Sequence, residues 1–277
     1  PQSLQRWTLR DALWRAGWAY PVTGASAWTT NVQGSPPPGV FDWIERQDPA
    51  ATLGLVRARG ERVEAWVALA SAPRVDLGTV PRTAPSGTPL RLPPIPGGRI
   101  RLADARGQIT EGAMDRGASV LLTVAGEWLF ELSDDAGVLG RFSVWVGREP
   151  PAWNPFSLPA EAVDGPEALE RRTYALLAEV RRYYDKRGWT TDPLLGNLLD
   201  GVAPGADTDA ALRGVGIPPE KASTFSCRAS TVEDCLDGWA WSIPARRIVL
   251  ADERASVGVA IHLDTEGVQL NGVVVGE

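Results

Sequence analysis

Any chemistry in this chain would have to come from very few side chains. Among 277 residues there is one histidine, His262, and there are two cysteines, Cys227 and Cys235. A single imidazole excludes a centre that needs two His ligands, and two thiols cannot build a thiolate zinc cluster, so neither a metal nor a cofactor is expected. His262 falls in the run Val257 to Leu263, where Val257, Val259, Ile261 and Leu263 point one way and Gly258, Ala260 and His262 the other. That placement gives it a structural or surface role. Glu233-Asp234 and Asp252-Glu253 would work as an acid/base pair only inside one cleft and with separated pKa values. They read as solvated helix ends. Gly24-Ala25-Ser26-Ala27-Trp28 lacks the closing glycine of a nucleophile elbow, and a serine without a His base is a weak attacker. Asp264-Thr265-Glu266-Gly267 reads as a hairpin turn. No Ser-x-x-Lys word, phosphate-binding loop or dinucleotide fingerprint is present, so no catalytic residue is assigned.

Two groups of residues remain. Cys227 and Cys235 lie eight positions apart in a polar stretch, a separation that permits a local disulfide in an oxidising compartment; two buried free thiols are the competing reading. Closing so short a loop is worth at most about 2–3 kcal/mol. The other group is the 12 tryptophans. Exposed indoles stack on sugar rings or anchor protein interfaces, and Trp66, Trp145 and Trp153, on or beside β-like segments, are the binding candidates together with Trp241. Core packing is the alternative for each of them. Trp239 and Trp241 are two apart on one helix and cannot share a face, which assigns Trp239 to the core and Trp241 to the surface.

Composition narrows the partners. The 28 basic and 34 acidic residues give a net charge of −6, and the basic residues are scattered, so attraction to a phosphate backbone is not expected and nucleic acid is excluded as a partner. No uncharged apolar run of about 18 residues exists, so no segment reads as a transmembrane helix. The chain opens at Pro1 without a hydrophobic leader, which fits either a piece cut at a domain edge or a mature protein whose leader has been removed.

The elements that must position these residues follow from periodicity and breakers. Thr8 to Gly17 has an N-capping Thr, apolar Leu9, Ala12, Leu13 and Ala16 on one face and a closing Gly, which predicts a short helix. A second helical piece lies around Phe41 to Arg46. Thr52 to Arg57 and Val63 to Ala70 form a hairpin around Arg59-Gly60-Glu61. The Pro-rich stretch from Ala72 to Gly98 is extended, with an edge strand around Leu90 to Leu92. Short strands at Arg99 to Ala103, Ser119 to Val124, Trp128 to Leu132 and Phe142 to Val146, spaced near ten residues apart, predict a small antiparallel sandwich. Glu149-Pro150-Pro151 through Pro155 marks a boundary. Beyond it the longest helical pattern carries Leu169, Leu176, Leu177, Val180 and Tyr184 and stops at Gly188. Gly201 to Glu220 reads as an irregular Gly- and Pro-rich stretch. A helix from Thr231 to about Trp241 and a hairpin of Val257 to Leu263 with Val268 to Val275 close the chain.

Trp239-Ala240-Trp241-Ser242-Ile243-Pro244-Ala245-Arg246-Arg247-Ile248-Val249-Leu250, followed by Val257-Gly258-Val259-Ala260, resembles the closing block of the CAP superfamily, which in bacterial members reads W-x-x-S-x-x-H-R before a V-G-V hairpin strand. Trp239, Ser242, Arg246, Leu250 and Gly258 fall at the matching places, and the resemblance covers about residues 166–277. It implies a CAP-like fold in which the helix from Leu169 to Arg187 is the family's first. CAP proteins typically carry two His and two acidic residues in a cation-binding cleft, but the motif His is Ala245 here, and the helix that would bring the other His is shortened into the stretch Gly196 to Gly205. Imidazole nitrogens have no substitute in Ala, so the resemblance implies a degenerate domain without the cleft's metal.

The expected fold is α+β: an N-terminal α/β segment (1–72), an Ig-like β-sandwich (73–150), a Pro-rich linker (151–165) and a degenerate CAP-like α-β-α sandwich domain (166–277). The expected function is non-catalytic binding or assembly at the bacterial cell envelope, by a protein secreted, periplasmic or displayed on the surface, with a protein or an envelope polysaccharide as partner. A metal-independent hydrolase of envelope glycan or peptide and a structural subunit of an extracellular assembly are the competing expectations.

Overall fold

The protein is described by a computed structural model for residues 13, 18–31, 34–59, 64–153, 155, 165–200, 208–251, 254–265 and 267–276. The helix expected over Thr8 to Gly17 lies, apart from Leu13, outside the described residues, as do the turn at Gly60-Glu61 and most of the linker 151–165. The chain is mixed α+β and separates into two compact units: Pro1–Leu102 with Glu111–Thr123 and Trp128–Gly147, and Ala103–Thr110 with Val124–Glu127 and Arg148–Glu277.

The first unit holds a three-stranded sheet of β1 (Gly24–Thr30), β2 (Thr52–Arg59) and β3 (Glu64–Ser71) in the order β1-β3-β2, with α1 (Pro38–Glu45) between β1 and β2 in sequence. Pro38 opens α1, where its missing N–H costs nothing. Trp43 of α1 packs on Ala68 and Ala70 of β3, and its ring meets Trp28 of β1 edge-on at 6.1 Å. The small β3 side chains are what admit two indoles to so thin a core. Strand alternation places Glu64, Trp66, Ala68 and Ala70 on the buried face and leaves Ala65, Val67 and Leu69 half-buried. Trp66 is therefore no surface platform: it is 8% exposed, directly opposite Trp28 across the β1–β3 pair. β1 itself, at Gly24-Ala25-Ser26-Ala27-Trp28, is absent from the sequence-based reading because its alternation is carried by small residues.

A five-stranded sheet follows, in the order β4 (Thr83–Ala84), β10 (Gly137–Val146), β9 (Gly126–Asp134), β6 (Arg99–Ala103) and β7 (Ile109–Ala113), with β5 (Thr88–Leu92) and β8 (Ala118–Leu122) paired separately. The expected sandwich is antiparallel throughout, but β4 lies parallel to β10. β7, entirely exposed, has no apolar alternation that would have revealed it. Trp128, Phe130 and Phe142 stack in succession, with centroids 6.4 and 5.0 Å apart. Trp145 lies on β10, between β4 and β9, and is 1% exposed, which corrects the expectation that it could serve as a binding indole.

In the second unit, β13 (Ala255–Asp264) and β14 (Gly267–Gly276) form the closing hairpin, with β12 (Ala222–Ala229) antiparallel to β14 and β11 (Thr190–Thr191) parallel to β13. α2 (Pro166–Tyr183) buries Leu176, Leu177, Val180 and Tyr183, the 3–4 spacing legible in the sequence. α3 (Pro193–Asp200) was not expected, and α4 (Thr208–Gly214) corrects the irregular reading of Gly201 to Glu220. Leu195 and Leu199 of α3 and Leu212 of α4 pack with Ala260 and Val273, so tertiary burial stabilises helices too short to stand alone. α5 (Val232–Ala240) starts at Thr231, whose hydroxyl accepts from the Asp234 N–H at 3.1 Å. α6 (Ile243–Val249) follows at once.

Gly258 explains its own identity: an added Cβ would stand 2.3 Å from the Leu195 Cβ and 2.5 Å from the Gly196 nitrogen, because α3 lies against β13 backbone to backbone. Gly258→Ala is expected to cost about 1–3 kcal/mol of stability through overpacking, read as a lower urea midpoint; an unchanged midpoint would show that α3 can move off the strand freely.

Candidate functional site

The last turn of α2 ends in Arg181-Arg182-Tyr183-Tyr184, and successive residues about 100° apart on a helix cannot all point the same way. Arg181 turns inward, 1% exposed, and donates to the carbonyls of Arg187 at 2.8 Å, Val249 at 2.7 Å and Ala251 at 2.6 Å, with Trp189 under its guanidinium at 5.0 Å. It holds the turn that follows α2 to the end of α6. Arg182 points outward, paired with Glu179 and lying 4.6 Å over the ring of Trp153. Tyr183 and Tyr184 lie between these directions.

Around Tyr183 the aromatic side chains collect. Its ring meets Trp153 at 5.6 Å, Tyr184 at 5.0 Å and Trp241 at 6.3 Å, each in an edge-to-face arrangement that suits the ring quadrupoles. Trp153 is 37% exposed and Trp241 half-buried. Two of the four candidate indoles thus share one cluster, and the other two, Trp66 and Trp145, are core residues of the first unit.

Beneath the cluster sits a buried ion pair. Arg246 Nη2 donates to Glu127 Oε2 at 2.8 Å, and the Tyr184 hydroxyl donates to the same oxygen at 2.8 Å, with the side chains of Arg246 and Glu127 1% and 0% exposed. The guanidinium lies 4.8 Å from the Trp241 ring and 4.9 Å from the Tyr184 ring. Two aromatic faces and a carboxylate stand in for part of the water that the cation has lost, while Nε and Nη1 of Arg246 and Oε1 of Glu127 are buried without a hydrogen-bond partner. Burial, first, pushes the Tyr184 phenol well above its ordinary value, and the neighbouring Glu127 adds to the effect while Arg246 opposes it. The phenol stays a donor. Burial works against the charge of Arg246, but Tyr184 and Glu127 outweigh it, so its affinity for the proton is raised.

Local structure fixes these groups. Glu127 follows Gly126 at the start of β9, where the sequence shows only a turn. Arg246 is set by α6, whose N-cap Ser242 accepts from Ala245 N–H at 3.4 Å and donates to the Trp239 carbonyl at 2.7 Å. At φ +81°, Gly107 comes so close to the backbone of Arg246 that an added Cβ would lie 2.5 Å from its carbonyl oxygen. The other residues quoted for the resemblance also have structural duties: Trp239 stacks on Phe225 at 4.2 Å and Leu250 is 3% exposed. Ala245 is buried in α6. Cys227 of β12 and Cys235 of α5 are joined as a disulfide with a Cα separation of 5.4 Å.

Of the acidic words, Glu233 is not a solvated helix end. It accepts from Arg172 Nε at 2.9 Å with both side chains mostly buried, tying α5 to α2. Asp252 and Glu253 lie outside the described residues. His262 keeps a half-open position on β13, 3.8 Å from Asp200. Among the described residues no three His, Cys, Asp or Glu side chains come together as a metal site.

No protein-family model matches the chain, and no curated protein matches it. Among solved structures, the 1.5 Å crystal structure of an extracellular protein containing an SCP domain from Bacillus anthracis aligns over 94% of this chain and 88% of that one, at 11% identity and a TM-score of 0.34. A likeness of that size assigns no residue a role.

Sequence reasoning missed Tyr183, Tyr184, Arg182 and Glu127. The Arg-Arg-Tyr-Tyr run at the end of the longest helix was a visible sign, whereas Glu127, 119 positions from Arg246, gave none. Arg246→Met is expected to cost about 3–5 kcal/mol, because it strands a buried carboxylate, and Glu127→Leu combined with it should recover part of that loss in equilibrium urea unfolding. Strictly additive losses would remove the coupling. The raised phenol gives a second expectation. The unfolded chain releases the Tyr184 proton near pH 10, and the folded chain holds it to higher pH. Stability from this group is therefore complete below about pH 10 and lost as pH rises past it, by up to about 1.4 kcal/mol per unit. Tyr184→Phe should flatten that alkaline slope.

Proposed function

We propose that the protein is exported and works as a non-catalytic binding component of the bacterial cell envelope, making contact through Trp153, Trp241 and Arg182, whose two indoles the buried Tyr183 brings together. The observation that carries this reading is the convergence of two candidate indoles on one tyrosine, with an exposed arginine stacked on the more open of them. Trp, Tyr and Arg are the residue types that dominate binding energy at interfaces, since each offers a large rigid surface with a polar handle. The rigid pair beneath them holds the indole of Trp241 in place at no further entropic cost on binding. A disulfide between Cys227 and Cys235 supports export, because such bonds persist in oxidising compartments.

The case against catalysis is the fate of Glu127. A general acid or base must reach its substrate, and this carboxylate is closed off from solvent with one oxygen committed to Tyr184 and Arg246. A degenerate CAP-like domain would fit the same reading, as a scaffold that keeps the fold and has lost the cleft ligands. Envelope protein and envelope polysaccharide are the two partner classes.

Retention on envelope fractions tests the proposal. Trp153→Ala and Arg182→Ala are each expected to lower retention about tenfold, the effect of losing roughly 1.4 kcal/mol of contact, with no glycan or peptide cleaved. Digestion of the fraction with protease or with glycan hydrolase tells the partner classes apart. Retention unchanged by both substitutions, together with cleavage of envelope polymer, would sink the proposal.

A further inference from the structure

The three-stranded sheet of the first unit ends at β2, which is hydrogen-bonded to β3 and, among the described residues, to no other strand. Every residue from Thr52 to Arg57 is exposed, with Leu53 at 43%, Leu55 at 44% and Val56 at 63%. An open edge presents unpaired N–H and C=O groups to any passing strand, and sheets usually blunt it with charge, proline or a bulge. From Thr52 to Val56 there is no charge and no proline, and the register with β3 runs from Thr52↔Ser71 to Arg59↔Glu64 without a break. β1, at the other edge, has Ser26 and Ala27 buried.

The register also shows what lies open. Leu53 and Leu55 stand opposite Ala70 and Ala68, so they share the sheet face on which Trp43 packs. They extend that core outward and leave its margin uncovered.

We infer that β2 pairs with β2 of a second copy of this chain, antiparallel about a two-fold axis at Gly54. Sheet faces match across such an axis only when paired residue numbers sum to an even value. Among those registers the one centred on Gly54 sets Leu53 of each copy against Leu55 of the other, so four leucines form one stripe between the two cores. Centring on Leu55 would set Leu53 against Arg57, and centring on Leu53 would set Leu55 against Ala51. The favoured register puts Thr52 against Val56 and Arg57 against Ala51, so no like charges meet. Gly54 brings no side chain to the axis, and no atom lies within 4 Å of where a Cβ would stand. The strand supplies its own complement, as an isologous interface requires. Eight residues per copy fall short of the 20–30 in a standard interface, so the dimer is weak, half-formed at concentrations on the order of tens of micromolar.

Sedimentation velocity on the 277-residue chain over about 2 to 200 µM tests this. A concentration-dependent rise from monomer to dimer is expected, and Val56→Lys, at an exposed position that leaves thermal unfolding unchanged, should weaken association about tenfold or more. A chain that stays monomeric over the whole range, or a dimer indifferent to Val56→Lys, overturns the inference. Register is read separately by Gly54→Cys, which should give a disulfide-linked dimer on mild oxidation far faster than Val215→Cys, a comparably exposed position in the second unit. Equal rates overturn it as well.

Discussion

Two opposite charges that have both left water must be held by each other, and the second unit is arranged around that requirement. Arg246 and Glu127 are almost wholly buried, and removing either would leave the other without its opposite charge at that depth. The pair imposes conditions on everything near it: a tyrosine hydroxyl aimed at the carboxylate, two aromatic faces against the guanidinium, and a turn at Gly107 that approaches the backbone of Arg246 too closely for a side chain. Tyr184 supplies the hydroxyl and one of the faces, and Trp241 and Gly107 come from two other segments of the chain. A buried pair of this kind contributes less to net stability than to the selection of one arrangement, since any packing that separates the charges is penalised by several kcal/mol, roughly.

The aromatic cluster inherits its rigidity from that pair. Tyr184 and Trp241 flank Arg246, and Tyr183 passes the contact on to Trp153, where the cluster meets solvent with Arg182 across its surface. Polarity is thereby graded, from a sequestered ion pair to an exposed cation on an exposed indole.

In the first unit a thinner constraint operates. Its three-stranded sheet gets its core from small residues of β3 that make room for Trp43 and Trp28, and that economy leaves Leu53 and Leu55 at an open margin. An edge stretch without charge or proline, such as Thr52 to Val56, is tolerable in solution when something covers it, and a symmetric partner is the covering we infer for it.

Much of the local structure was legible before any coordinates. The 3–4 spacing along α2, the start of α5 at Thr231, the hairpin of β2 and β3 and the closing hairpin all express rules that act within a few residues, and the order of those elements follows from them. Strands β1, β7 and β12 and helices α3, α4 and α6 were not legible, because their residues are small, polar or too few to carry a period, and burial against neighbours makes the choice for them. The site divides along the same line. Composition alone ruled out a centre with two His ligands and singled out the tryptophans as candidates for contact. Which indoles are buried, how Arg181 and Arg182 part company, and that Glu127 lies against Arg246 were decided only by the tertiary structure, because desolvation and charge pairing depend on distance in space, and 119 positions of chain separate that glutamate from its arginine.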